Sequence, residues 1–231
     1  QPLEQRVNIL AIETATTACA IGLRTSAGFE MGWVVDDDRH HTEALTVAID
    51  RVLREWSLTP AQLDRIVVDR GPGLFTGLRV GLATAIGLSQ ALGIGLVGVT
   101  SLELLAHAAH DDGVRGTVVA AVDGRRGEVF VQSFALGDDV VATSEPSVST
   151  ARDVALDWGG RNVPVTFTGD GVARYAADFA AVGLATIDTQ EVPSVTTALR
   201  LAMTRATTDT VEPLYLREAD AVANFSTRER S

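Results

Sequence analysis

The chain has 231 residues, 46 % of them hydrophobic, and a formal net charge of −11. That apolar content can fill a substantial core, as one large domain or two small ones, while the acidic balance argues against unaided nucleic-acid binding, which rests on clustered cations. All 19 basic residues are arginine, which sets aside Walker-type phosphate loops, protein kinases and Schiff-base enzymes, since each needs a lysine ammonium. Cys19 is the single cysteine, so no intrachain disulfide can form. Neither a signal-peptide pattern nor an 18-residue apolar run is found, and a cytoplasmic protein without membrane contact is expected.

Residues 7–12 and 18–23 read as strands joined by Glu13-Thr14-Ala15-Thr16-Thr17, with a third strand over 29–35. Amides and hydroxyls of such a turn can cradle a phosphate, and an acid at its start can hold a metal ion through water. A Thr-rich hairpin explains the same residues without any ligand. Residues 36–41 form a polar linker in which His40 and His41, being adjacent, point apart and chelate poorly. A helix over 42–56 carries a core stripe of Leu45, Ile49, Val52, Leu53 and Trp56, and a weaker second stripe of Ala44, Val47 and Ala48 beside Arg51.

The next unit is the most distinctive. A short strand, 66–68, breaks at Arg70-Gly71-Pro72-Gly73, and a helix then runs over 76–92 to a stop at Gly93, before a strand at 96–99. One face of the helix carries Gly77, Val80, Gly81, Thr84, Ala85 and Leu88, small enough to lie closely on a sheet. The opposite face holds Arg79 and Gln90, but Leu82, Ala83 and Ile86 sit between them. A helix apolar nearly all round is covered on both sides. Either the chain's own core does this, or the second face meets another protein.

Thr100 and Glu103 have capping-box spacing and open a helix towards His110. His107 and His110, at i and i+3, read as a metal-gripping pair or as a solvated, dipole-complementing helix end. From Thr117 the pattern of elements begins again: strands at 118–122, 128–136 and 140–143, a turn at 123–127, a helix at 150–158, a strand at 165–168 ending in Gly169-Asp170-Gly171, a helix to about 179, a strand at 184–187 and a helix at 194–206. Two such halves facing a cleft bring the turns at 13–17, 123–127 and 169–171 near one another.

The segments ILAIETAT (9–16), RGPGLFTGLRVG (70–81), DGRRGEVF (123–130) and PLYLR (213–217) resemble the bacterial TsaB (YeaZ) family nearly end to end. The resemblance implies an α/β, actin-like ATPase architecture of two ribonuclease-H-like halves, with two mixed sheets flanked by helices. The halves are expected at 1–112 and 113–216, with a mobile tail at 217–231. It also implies a non-catalytic accessory role in placing threonylcarbamoyl on the adenosine next to the anticodon of tRNAs that read codons starting with A. The partners implied are TsaD, which carries the metal and the transfer chemistry, and TsaE, a nucleotide-hydrolysing switch. Pairing with TsaD, or with a second copy as a homodimer, would use the first two long helices, through Ala44, Val47, Ala48, Arg51, Arg79, Leu82, Ala83 and Ile86. tRNA would be reached only through the complex.

By the same resemblance, Glu13, Thr14, Thr16, Asp123, Gly169 and Gly171 are vestigial nucleotide turns. No cofactor is expected to bind tightly, and ATP or ADP would be held only within the complex. Two histidines four apart bind the metal in TsaD relatives; the corresponding positions here are Ser101 and Leu105, so no metal and no catalytic residue are expected. Glu13 stands where the family more often has aspartate and Leu74 where it has serine, which predicts weak or no nucleotide binding by the isolated chain. Two other classes stay open: a stand-alone phosphotransferase or ATPase working through Glu13 and Asp123, and a metallopeptidase using His107 and His110.

Overall fold

The computed structural model describes residues 6–34, 41–188 and 190–217, with the side chains of 41–44 left aside. His40, the side chains of His41 and Ala44, and tail residues 218–231 therefore lie outside the described residues. Strand β1 (Ile9–Glu13) sends Leu10 and Ile12 to one face and Ile9 and Ala11 to the other, all at most 2 % exposed. A strand apolar on both faces belongs in the middle of a covered sheet. It pairs antiparallel with β2 (Ala20–Arg24), which pairs with β3 (Glu30–Val34). On its other side lie β4 (Arg65–Asp69) and β5 (Gly95–Val99), both parallel, giving the order β3-β2-β1-β4-β5. Helices α1 (His41–Glu55) and α2 (Phe75–Leu92) cover one face through Leu45, Ile49, Val52, Leu53, Leu82 and Ala85. Helix α3 (Ser101–Asp111) opens on the expected Thr100/Glu103 capping box.

The second half repeats the pattern. Strands β6 (Gly116–Arg125), β7 (Glu128–Leu136) and β8 (Val140–Ala142) form the meander, and β9 (Ser147–Thr150) pairs with the start of β7. Helix α4 (Ala151–Arg161), strand β10 (Val165–Thr168), short helices α5 (Asp170–Arg174) and α6 (Ala176–Ala180), strand β11 (Ala185–Ile187) and helix α7 (Val195–Thr204) follow. Read from β8, the sheet order is β8-β7-β6-β10-β11, the order of the first sheet. This duplicated ribonuclease-H-like topology is the actin-like ATPase fold.

The strands divide between the sheets near residue 112, but the helices cross over. Leu102, Leu105, Ala106 and Ala109 of α3 pack on Val118, Ala120 and Val122 of the second sheet. Val195, Ala198, Leu199 and Ala202 of α7 pack on Ile9, Ala11 and Val67 of the first. Ion pairs tie the exchanged helices together, Arg200 to Asp111 at 2.6 Å and Arg205 to Glu103. The segment after α7 then returns along β5, where Leu96 and Thr208 exchange backbone hydrogen bonds, and Leu214 donates to the Arg70 carbonyl at 2.7 Å.

Three local expectations shift. β6 runs on through a bulge to Arg125, so the turn expected over 123–127 shrinks to Arg126 and Gly127. The single helix expected to about 179 divides at Tyr175, whose φ of −112° and ψ of 36° leave the helical region and end α5. β9 was not foreseen, because its polar residues become a strand only through long-range pairing with β7. No helix among the described residues is long and apolar enough to cross a membrane.

Helix α2 lies against the 14–15 turn through glycine. A Cβ at Gly77 would stand 2.0 Å from the Thr14 carbonyl oxygen, and one at Gly73 2.1 Å from that of Ala15. Gly87, on the outer face, meets nothing within 4 Å. Gly77→Ala is expected to destabilise by about 2 kcal/mol or more, because backbone cannot step aside, whereas Gly87→Ala should stabilise by roughly 0.5–1 kcal/mol through helix propensity. Denaturant titration of the two variants checks this opposition of sign.

Candidate functional site

Glu13 ends β1 as a buried acid, 1 % exposed, and its Oε1 accepts hydrogen bonds from the amides of Ala15 (2.7 Å) and Thr16 (3.2 Å). Thr14 and Thr16 are 0 % and 2 % exposed, and the Thr14 hydroxyl donates to the Gly77 carbonyl at 2.8 Å. All three residues are thus internal to the turn rather than open to solvent. The amides that were to cradle a phosphate are satisfied by the turn's own carboxylate, and α2 closes the space above them.

Asp69, at the end of β4, is also buried. Its Oδ1 accepts from the Gly71 amide (2.8 Å) and lies 3.0 Å from Ser101 Oγ, which in turn lies 2.9 Å from the Pro72 carbonyl. Glu13 Oε2 and Asp69 Oδ2 have no hydrogen-bond partner. Burial pushes Asp69 up to about 7, against the pull of the Gly71 and Ser101 hydrogen bonds. Glu13 is pushed well above the usual carboxylate range by burial and by the neighbouring charge of Asp69. The Ser101 hydroxyl thus lies between two acceptors, Asp69 Oδ1 and the Pro72 carbonyl.

The other two turns meet at the mouth of the second half. The Asp123 amide donates to Asp170 Oδ1 at 2.9 Å, and Asp170 contributes to the field raising Glu13, so the three turns share one region. Asp123 is 6 % exposed. Its Oδ1 accepts from the Arg125 amide (2.9 Å) and the Tyr175 hydroxyl (3.3 Å), and its Oδ2 lies 3.1 Å from Arg125 Nη1 and 3.4 Å from Arg174 Nε. Gly169 and Gly171 are small because α5 abuts β6: a Cβ would stand 2.3 and 2.9 Å from the Ala121 carbonyl.

Sequence reasoning missed the aromatic and arginine surface beside these turns. Arg79 stacks 3.7 Å over the Phe75 ring, Phe75 meets Tyr215 at a centroid distance of 5.1 Å, and Arg217 bridges to Glu128 at 2.7 Å. The joining of Phe75 to Tyr215 spans most of the chain, so no local pattern announces it.

On the α1/α2 face, Val47 is 68 % exposed, Arg51, Arg79 and Ala83 are exposed, and Ala48 and Ile86 are half-buried. Leu82 is the correction: at 5 % exposure it belongs to the core between α2 and the first sheet. Its helical angle placed it between two faces, and the neighbouring α1 covers it. Ser101 and Leu105 are both 0 % exposed, Leu105 within the apolar layer under the second sheet. His110 Nε2 lies 3.0 Å from the Gly137 carbonyl, and burial pushes half-buried His107 below its ordinary value. Among the described residues no group of three or more His, Cys, Asp or Glu is placed to hold a metal ion.

A family model described as TsaD: tRNA N6-adenosine threonylcarbamoyltransferase matches residues 36–225. The tRNA threonylcarbamoyladenosine biosynthesis protein TsaB of Escherichia coli is 33 % identical over 128 residues, 54 % of this chain and 53 % of that protein. The chain belongs to this family, on its TsaB (YeaZ) branch. An uncharacterized protein of Mycobacterium tuberculosis is 38 % identical over 148 residues, 63 % of this chain and 66 % of its own. The matches thus span from about half to just under two thirds of these curated relatives' length. The solved structure of YeaZ from Pseudomonas aeruginosa superposes with a TM-score of 0.77 at 26 % identity, covering 91 % of this chain and all of that one.

The raised Asp69 makes a pH prediction for this TsaB-branch chain. An acid whose folded value lies above its unfolded one stabilises fully below the unfolded value, and that contribution is lost as pH rises through the folded one. For Asp69 the window runs from its ordinary 3.8 to about 7. Asp69→Asn keeps the Oδ1 acceptor and removes the charge, so it should melt about 4 °C or more above the wild type at pH 8 and converge with it near pH 4. Paired thermal melts across pH measure this.

Proposed function

We propose that this chain is a non-catalytic accessory subunit of threonylcarbamoyl transfer to tRNA, pairing with a TsaD-type transferase and, with TsaE, forming a larger complex. The observation that carries the reading is Leu105. The resemblance puts the second metal ligand of the transferase there, and a leucine sealed in an apolar layer has no lone pair to give. The candidate acids support the same conclusion. Glu13 is 1 % exposed and spent on the turn's amides, and Asp123 is held by two arginines, so neither is poised as a base towards a substrate. Any ATP or ADP would be held between subunits, since the turns of the single chain are internally filled.

The pairing surface is the outer face of α1 and α2, where Val47 stands out beside Ala83 and the open Gly87. Small residues on an exposed helix let a partner helix approach closely. The same face would serve a homodimer when the transferase is absent, and free cytoplasmic protein would exchange one partner for the other. Size exclusion with light scattering, on a mixture with TsaD of the same organism, should give a heterodimer mass. Val47→Glu with Ala83→Arg should weaken that pairing at least tenfold, equivalent to about 1.4 kcal/mol, with the melting temperature nearly unchanged. Leu82→Arg should instead lower solubility and melting temperature, because it buries a charge in the core. Unchanged pairing in the double variant would overturn the chosen face.

A further inference from the structure

Among the described residues, several arginines are joined through shared partners along one line that crosses from the first half to the second. Arg79 and the Phe75/Tyr215 pair stand at the start of α2, with Arg79 Nε 3.4 Å from the Tyr215 hydroxyl. Arg217, two residues beyond Tyr215, bridges to Glu128 at the foot of the β6/β7 hairpin. The hairpin carries Arg125 and Arg126, and Arg174 of α5 lies across from them on Asp123. Tyr175 ties the line together, its hydroxyl accepting from the Gly127 amide at 3.1 Å. Asp123, 6 % exposed, lies beneath two guanidinium groups and orients them, and each fork keeps further N–H donors for an outer acceptor.

The backbone gives a second, independent observation. Arg125 and Arg126 both adopt left-handed φ, 66° and 56°, followed by Gly127 at 86°. The two-residue turn itself is Arg126-Gly127, closed by the Arg125/Glu128 pair, and the left-handed backbone reaches one residue back to Arg125; a long side chain is disfavoured at both arginine positions. Two successive arginines held there against the backbone's preference are a feature of sites where the side chains are used.

We propose that this line is an RNA-binding surface, contacting phosphates of a tRNA through Arg125, Arg126 and Arg174 and stacking an unpaired base on exposed Tyr215. The proposal rests on the accessory role above, which brings a tRNA to the complex. An extended polyanion fits better than a free nucleotide. The arginines are spread across both halves with an aromatic between them, the pattern that suits single-stranded or looped RNA. The turn amides that would close around one phosphate are already occupied by Glu13 and Asp123. The overall charge of −11 explains why such a surface works beside a partner's and not alone.

The test is the double variant Arg125→Gly, Arg126→Asn, whose residues suit the left-handed turn, so the hairpin is kept while both guanidiniums go. Heterodimer formation with TsaD is measured first by light scattering, then unmodified tRNA is titrated by fluorescence anisotropy over a range of salt. The expected result is an unchanged heterodimer, a melting temperature equal or higher, at least tenfold weaker tRNA binding, and a log–log salt slope smaller by about 1.4 to 1.8. Tyr215→Ala should weaken binding with the slope unchanged. A heterodimer whose tRNA affinity and slope survive the double variant overturns the surface and leaves the pairing standing. Loss of ATP binding with tRNA binding intact assigns the arginines to a small phosphate ligand and equally overturns it. If no heterodimer forms, the pairing falls, and the same titration on the full chain alone at low salt judges the surface by the same criterion, with no tRNA bound by the wild type counting against it.

Discussion

The constraint on which the first half depends is the approach of backbone to backbone where α2 rests on the turn after β1. Gly73, Gly77 and Gly81 put no side chain between the helix and residues 14–15, and the Leu74 amide donates to the Ala15 carbonyl at 2.6 Å. Everything in the first half follows from that approach. It sets α2 against the sheet, seats α1 beside it and leaves one outer face open, where Val47 and Ala83 meet solvent. It also closes the turn, so the polar groups there must be satisfied from within. Glu13 does this for two amides and Thr14 for one carbonyl.

Burying Glu13 and Asp69 in the same region has a cost that the fold does not fully offset. Each keeps one oxygen without a partner, and both are pushed towards their neutral forms, chiefly by burial and secondarily through their neighbours. Around these two acids the turn amides and the Ser101 hydroxyl are taken up by internal hydrogen bonds.

The halves are also less separable than two repeats need be. Helix α3 packs under the second sheet and α7 under the first, and the segment after α7 returns along β5 to place Tyr215 on Phe75. The exchange makes each half's core incomplete without the other. It also fixes the α2 N-terminus relative to the β6/β7 hairpin, so the arginine line is held by the fold rather than by a loop.

Much of this was legible in the sequence because the signals were local. Glycine and proline at 70–73, the stop at Gly93, the Thr100/Glu103 spacing and the short apolar or β-branched runs of β1 and β10 are statements about φ, ψ and local pattern, and those elements fall within one or two residues of where the sequence puts them. The repeated order of elements likewise revealed two halves. Only the tertiary structure decided which apolar faces were left over. Leu82 and Ala83 are neighbours on one helix, yet α1 covers the first and leaves the second exposed. Nor could sequence show that Glu13 turns back to cap its own turn, or that Tyr215 reaches Phe75. Those outcomes depend on distances between segments far apart in the chain, and periodicity carries no information about which distant backbone will arrive to fill a space.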